Sequence, residues 1–139
     1  MGEMQQPKTI KDDVFHKYIL KSTAGIVTGV AGAGAGAIVG TIFSGGSFDS
    51  RITSAAIGGV LGYIFGEPLG VSIVGKYNGE NGKYSHALCG NLLGSLVGLG
   101  VFNVVKSSTD AHDYNAMNVS YGVFLTFSVG GSIVGYQTK

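Results

Sequence analysis

The sequence predicts an all-α membrane protein, a four-helix transmembrane bundle with glycine-zipper packing. Three observations predict this fold class: charged residues make up 12% of the chain, they are absent from four long tracts, and 25 of the 139 residues are glycine. A soluble domain carries about 25% charged residues and about 7% glycine. We expect one transmembrane domain at residues 22–139. It follows a polar segment at residues 1–21. This segment is expected to be either an amphipathic helix at the membrane surface or a solvent-exposed segment before the first span.

The uncharged tracts place the four helices. No Asp, Glu, Lys or Arg occurs in residues 22–48, 84–105 or 114–138, and Glu67 is the only one in residues 52–75. A helix of about 20 residues, rising 1.5 Å per residue, crosses the ~30 Å hydrocarbon core of a bilayer. The predicted helices therefore cover about 22–44, 53–75, 84–105 and 117–137.

Glycine recurs in these tracts at the spacing of one helix face. The stretch AGAGAGAIVG (residues 31–40) alternates like a strand, but a spacing of three or four residues continues through the later tracts. In lipid, glycine lets two helix backbones approach closely and gain dispersion contacts. The predicted helix-packing residues are Gly25, Gly29, Gly32, Gly36, Gly40, Gly58, Gly62, Gly66, Gly70, Gly90, Gly94, Gly98, Gly131 and Gly135, with Ser128 one step before the last two.

A β-rich envelope protein is the alternative fold class. In the last tract Val123, Leu125, Phe127 and Val129 alternate with their neighbours, as in a strand of a membrane barrel. A barrel needs many such alternating segments, and residues 53–75 do not alternate. The helical bundle is therefore the expected fold.

Three polar side chains within the tracts form a candidate intramembrane polar site: Glu67, Asn91 and Asn103. A charge at the bilayer centre costs about 2.5–3.5 kcal/mol or more. We therefore expect Glu67 either at a functional seam or subunit contact, or beside a kink at Pro68 and against a neighbouring hydroxyl or amide. We predict no catalytic, cofactor-binding or metal-ligating residues, because no nucleophile–base pair or ligand cluster can be assembled, and so no enzyme.

The remaining charges indicate topology and partners. A net charge of +1 gives no electrostatic footprint for nucleic acid. Four spans put both termini on one side, and the excess of lysine there places the termini and the 76–83 loop in the cytoplasm or its equivalent. The expected partners are other membrane protein subunits and lipid. Structural lipids in the grooves beside the glycines and a homo-oligomer are both compatible with the sequence.

Three consecutive segments resemble the mitochondrial preprotein and amino-acid transporter family: GGVLGYIFGE (58–67), GKYNGENGKY (75–84) and HALCGNLLGSLVG (86–98). In that family a glycine-rich second helix with an acidic residue likewise precedes a charged loop and a Gly-x-x-x-Gly third helix. The family includes inner-membrane protein translocase channels and a small accessory subunit of respiratory complex I. The corresponding loop of that family carries Arg and Asp, whereas the loop of this chain has Lys76, Glu80 and Lys83.

These observations lead to three functional expectations. The first is a non-catalytic integral membrane subunit that packs against and stabilises a larger membrane protein complex, which the resemblance implies to be respiratory and in the mitochondrial inner membrane. The second is a translocase or pore-forming channel subunit, with Glu67, Asn91 and Asn103 lining a seam. The third is a self-assembling membrane oligomer. A bacterial envelope is the alternative compartment, because similar glycine-rich patterns occur there.

Overall fold

Four helices make up the part of the protein that the structure, a computed structural model, describes, which is residues 10–107 and 114–138. They are α1 (Ile10–Phe43), α2 (Phe48–Tyr77), α3 (Tyr84–Ser107) and α4 (Tyr114–Gln137), and these two ranges contain no strand. Each helix includes a stretch long and apolar enough to cross a membrane. The predicted helical bundle is confirmed, the β-rich alternative is wrong for the described residues, and the chain is an integral membrane protein.

The first helix begins earlier than predicted. The helix predicted to start at about residue 22 instead runs without a break from Ile10 to Phe43. No glycine or proline stands between Ile10 and Ala24 to interrupt it. Lys21 also turns inward, is 1% exposed and pairs with Glu80 of the α2–α3 loop, which holds this part of the helix against the bundle. Residues 1–9 of the predicted polar segment lie outside the described residues.

The helices pack as two antiparallel hairpins, α1 with α2 and α3 with α4. In the first hairpin the glycines face each other one turn apart. A Cβ added at Gly36 would overlap the carbonyl oxygen of Gly58, and one added at Gly62 would overlap that of Gly32. The two backbones therefore touch along this face, which only glycine permits.

The second hairpin uses the same contact with fewer glycines. A Cβ at Gly90 would overlap the carbonyl oxygen of Gly131, and one at Gly94 would overlap that of Phe127. A Cβ at Gly135 would overlap the carbonyl oxygen of His86. The α3 and α4 backbones are thus in contact along the predicted glycine face of this hairpin.

Two of the predicted packing glycines of α1 face side chains first. The nearest atoms to a Cβ at Gly25 belong to the side chain of Val71, at 3.1 Å, and to Glu67, and the nearest to one at Gly29 belong to Tyr63. These two positions of α1 therefore leave room for the polar side chains of Glu67 and Tyr63 on α2. On α2, a Cβ added at Gly70 would likewise meet a side-chain atom first, Thr28 Oγ1, and the remaining predicted packing glycines meet partner backbone at their closest contacts.

Among the described residues, the two hairpins meet in one half of the bundle. There the ring of Tyr136 fills a notch that Gly75 and Gly82 leave open, and Tyr18 donates a hydrogen bond to Gln137. Both described chain ends and the α2–α3 loop lie in this half, as the topology predicted. In contrast, no residue of 30–43 or 48–61 is buried. We call these two segments the distal arm, because they pack mainly on each other.

Substituting alanine for Gly36 is expected to destabilise the first hairpin. The new Cβ overlaps the Gly58 carbonyl oxygen, so the helices must separate, at a cost of about 1–3 kcal/mol in the free energy of unfolding. Gly34→Ala is the matched control on the same helix, since a Cβ there has no neighbour within 4 Å. Thermal unfolding in detergent micelles measures the difference. Equal midpoints for the two variants would contradict the backbone contact.

A buried polar cluster as the candidate functional site

The candidate site begins with a gap in the backbone hydrogen bonds of α2. Pro68 stands inside this helix and has no N–H to donate to the carbonyl oxygen of Ile64, four residues earlier. The side chain of Asn91 on α3 supplies the missing donor, with its amide nitrogen 3.0 Å from that oxygen. In a bilayer an unsatisfied carbonyl costs several kcal/mol, so this bond couples α3 to α2.

A second side chain of α3 reaches the same stretch of α2. The hydroxyl of Tyr84 donates to the carbonyl oxygen of Phe65, at 3.1 Å. Carbonyls three and four residues before a proline are the ones that the proline disturbs. Both therefore receive a side-chain donor from α3.

The carboxyl group of Glu67 lies beside this gap, completely buried, and contacts the hydroxyl of Ser128 on α4. Ser128 Oγ is also 2.6 Å from Asn91 Oδ1 and 3.3 Å from Ser95 Oγ. Ser95 donates to Asn91 Oδ1 at 3.1 Å. One network of polar side chains thus joins α2, α3 and α4, and we call Glu67, Asn91, Ser95 and Ser128 the polar cluster.

The polar cluster lies at membrane depth. Glu67 is 10 residues before the end of α2 at Tyr77, a distance of about 15 Å along the helix axis. Ser128 is nine residues before the end of α4 at Gln137, which is about 14 Å. Half of a ~30 Å hydrocarbon core is about the same distance. A carboxyl group at this depth is a functional-site hypothesis by default.

Two buried oxygen atoms beside the cluster, Glu67 Oε1 and the hydroxyl of Tyr63, have no partner in hydrogen-bond geometry among the described residues. Tyr63 precedes Glu67 by one helical turn, so the two side chains share a face of α2, and they interact electrostatically. Gly29 of α1 leaves the space that the Tyr63 ring occupies.

The structure brings together two of the three predicted polar residues. Glu67 and Asn91 lie in the cluster, whereas Asn103 is exposed and donates to the carbonyl oxygen of Leu99 in its own helix. The structure therefore does not bring Asn103 into one site with Glu67 and Asn91. Ser95 and Ser128 complete the cluster instead. Ser128 shares a helix face with Gly131 and Gly135, and that spacing was the available signal for its inward direction.

The chemistry open to the cluster is hydrogen bonding and the holding of a single positive charge. Its members are one carboxyl, one amide and two hydroxyls, closed off from solvent. Within residues 10–107 and 114–138 there is no group of three or more His, Cys, Asp and Glu side chains that could hold a metal ion. Cys89 is exposed on α3, and His86 makes a hydrogen bond from Nδ1 to the carbonyl oxygen of Thr138 at 2.9 Å.

Comparisons with known proteins add no assignment. No protein-family model, no curated protein and no solved structure matches the chain. The resemblance of residues 58–98 to the mitochondrial transporter family therefore stays a prediction, and the geometry carries the functional argument.

Replacing Ser128 with alanine is expected to weaken the junction of the hairpins. The variant removes the hydroxyl that contacts the Glu67 carboxyl, and it leaves Asn91 with one partner fewer. Hydrogen bonds between membrane helices contribute about 0.6–1.7 kcal/mol, and we expect a loss of about 1–2 kcal/mol because a buried carboxyl loses its partner.

The matched control for this variant is Thr126→Ala, also on α4. The Thr126 hydroxyl is exposed and donates only to the carbonyl oxygen of Gly122 in its own helix. Thermal unfolding of both variants in the same detergent gives the comparison. A Ser128→Ala midpoint equal to that of Thr126→Ala would show that the cluster contributes nothing to stability.

Proposed function

We propose that this chain is a non-catalytic integral membrane subunit that packs against other membrane proteins and stabilises their assembly. Four glycines carry the proposal: Gly34, Gly100, Gly122 and Gly130 are exposed, and a Cβ on any of them would meet no atom within 4 Å. Glycine inside a helix costs about 1 kcal/mol relative to alanine. Because these four have no close neighbour among the described residues of the chain, close approach by another helix is the physical reason for glycine there.

The shape of the bundle supports the same proposal. The distal arm consists of two helices packed mainly on each other, so most of its apolar surface faces outward. Ile38, Ile42 and Phe43 of α1 are 64%, 71% and 84% exposed. Lipid can cover such side chains, but an arm of two helices separated from the rest of the bundle presents faces on both sides to neighbouring subunits.

The compartment belongs to the proposal as well. The resemblance of residues 58–98 to the mitochondrial family supports the inner membrane of mitochondria and an accessory subunit of a respiratory complex. A bacterial envelope is the alternative, and the same packing argument applies there.

A transport role is the second candidate, and one observation favours it. Glu67 lies at membrane depth between the hairpins, where a translocase or pore subunit would need a polar group. The cluster is closed, however, since Glu67 and Asn91 are both fully buried. Transport would therefore require the hairpins to separate, whereas a packing role requires no such movement.

Native electrophoresis of membranes in a mild detergent, followed by mass spectrometry, tests the packing role. We expect the wild-type chain to co-migrate with a larger complex of other membrane proteins. Leucine at Gly34, Gly100, Gly122 and Gly130 should abolish co-migration, because the added side chains block close approach, while the unfolding midpoint of the purified chain should not fall, because no atom clashes with the new side chains at Cβ and glycine is the poorer helix former.

Val104→Leu is the matched control, since it enlarges an exposed apolar side chain of α3 at a position that is not glycine. This variant should co-migrate like the wild type. Migration of the wild-type chain as a monomer would contradict the packing role. A homo-oligomer would favour self-assembly, and a leucine variant that still co-migrates would show that the four glycines are not the contact.

A further inference from the structure

The polar cluster contains more close oxygen pairs than its hydroxyl hydrogens can fill. Ser128 Oγ contacts a carboxyl oxygen of Glu67, Asn91 Oδ1 and Ser95 Oγ, and Ser95 Oγ also contacts Asn91 Oδ1. Each serine hydroxyl carries one hydrogen, while carboxylate and amide oxygens only accept. Two hydroxyl hydrogens are therefore available for four oxygen–oxygen contacts.

Asn91 cannot supply the missing hydrogen. Its amide nitrogen is 3.0 Å from the carbonyl oxygen of Ile64, which only accepts. If the amide were turned over, two acceptors would face each other there, and the carbonyl exposed by Pro68 would lose its donor. Asn91 Oδ1 therefore faces the two serines as an acceptor.

A proton on the Glu67 carboxyl supplies a third hydrogen, so that only the longest of the four contacts, 3.3 Å between Ser95 Oγ and Ser128 Oγ, is left without one. The carboxyl O–H then donates to Ser128, Ser128 donates to Asn91 Oδ1, and Ser95 donates to the second lone pair of the same oxygen. The other carboxyl oxygen, Oε1, becomes the acceptor available to the buried hydroxyl of Tyr63. With an ionised carboxylate, Ser128 could donate to Glu67 or to Asn91, but not to both.

Among the described residues, no basic side chain forms an ion pair with the Glu67 carboxyl. Lys21 lies one turn before Gly25 on the inner face of α1 but donates to Glu80. Its ammonium group also lies over the rings of Tyr18 and Tyr136, at 5.8 and 5.7 Å. The groups that face Glu67 are neutral: Gly25 and Gly29 of α1, Tyr63 of α2, Asn91 and Ser95 of α3 through the network, and Ser128 of α4.

We propose that the polar cluster is a binding site for one exchangeable monovalent cation, and that the occupant in this geometry is a proton on the Glu67 carboxyl. A small metal cation such as Na⁺ carries the same charge and takes the same oxygen ligands, so it is the alternative source of that charge. The inference rests on the contacts within the polar cluster and is independent of the proposed role in complex assembly.

Infrared spectroscopy of the purified full-length chain tests the site directly. A protonated carboxyl has a C=O stretch that is well separated from the carboxylate bands. We expect this band near neutral pH in a buffer without metal cations, and we expect it to shift in D₂O because the proton exchanges. Added NaCl, compared with a bulky organic chloride at equal ionic strength, distinguishes the two sources: Na⁺ removes the band if it replaces the proton, and leaves it if only a proton binds.

Variants assign the band. Glu67→Gln should remove it, and Glu80→Gln should not, because Glu80 lies in the loop and pairs with Lys21. Ser128→Ala should keep the band but move its frequency, because the carboxyl loses its partner; this variant also serves if Glu67→Gln fails to fold. Wild-type spectra with no acid band in either buffer, or a band that survives Glu67→Gln in folded protein, would overturn the proposal.

Discussion

The architecture depends on one constraint, which is that a backbone carbonyl at membrane depth must have a hydrogen-bond donor. Pro68 removes the donor for Ile64 in the middle of α2, and Asn91 of α3 replaces it. The same asparagine accepts from Ser95 and contacts Ser128, and Ser128 contacts Glu67. A local defect in one helix therefore fixes where the second hairpin sits against the first.

Within each hairpin the physics is different. Lipid provides no hydrophobic drive for two apolar helices to associate, so close backbone contact has to supply the attraction. Glycine provides it where Gly36 meets Gly58 and where Gly90 meets Gly131. The glycine contacts that hold one hairpin together do not involve the other hairpin. The two hairpins can therefore be joined in one half of the bundle, while the other half contains the two-helix distal arm. Buried polar groups join the hairpins, and glycines build them.

The sequence predicted the helices and their glycine faces because both depend on residue spacing alone. It could not separate Gly25 and Gly29, which leave room for side chains, from Gly36, which touches backbone, because that depends on what α2 presents opposite them. It also could not rank Asn91 above Asn103, since both are amides on α3. The difference is the partner, because Asn91 faces the carbonyl that Pro68 exposes, whereas Asn103 bonds within its own helix. The start of α1 was missed because its charges were interpreted as a boundary, although Lys21 is buried in an ion pair.

A double-mutant cycle between Pro68 and Asn91 tests the central claim most directly. Asn91→Ala should destabilise the chain with Pro68 present, because Ile64 loses its only replacement donor. In the Pro68→Ala background the new backbone N–H can bond to Ile64, so the same substitution should cost about 1 kcal/mol less in the free energy of unfolding. An equal cost in both backgrounds would contradict the account, since Asn91 would then stabilise the bundle without regard to the gap in α2.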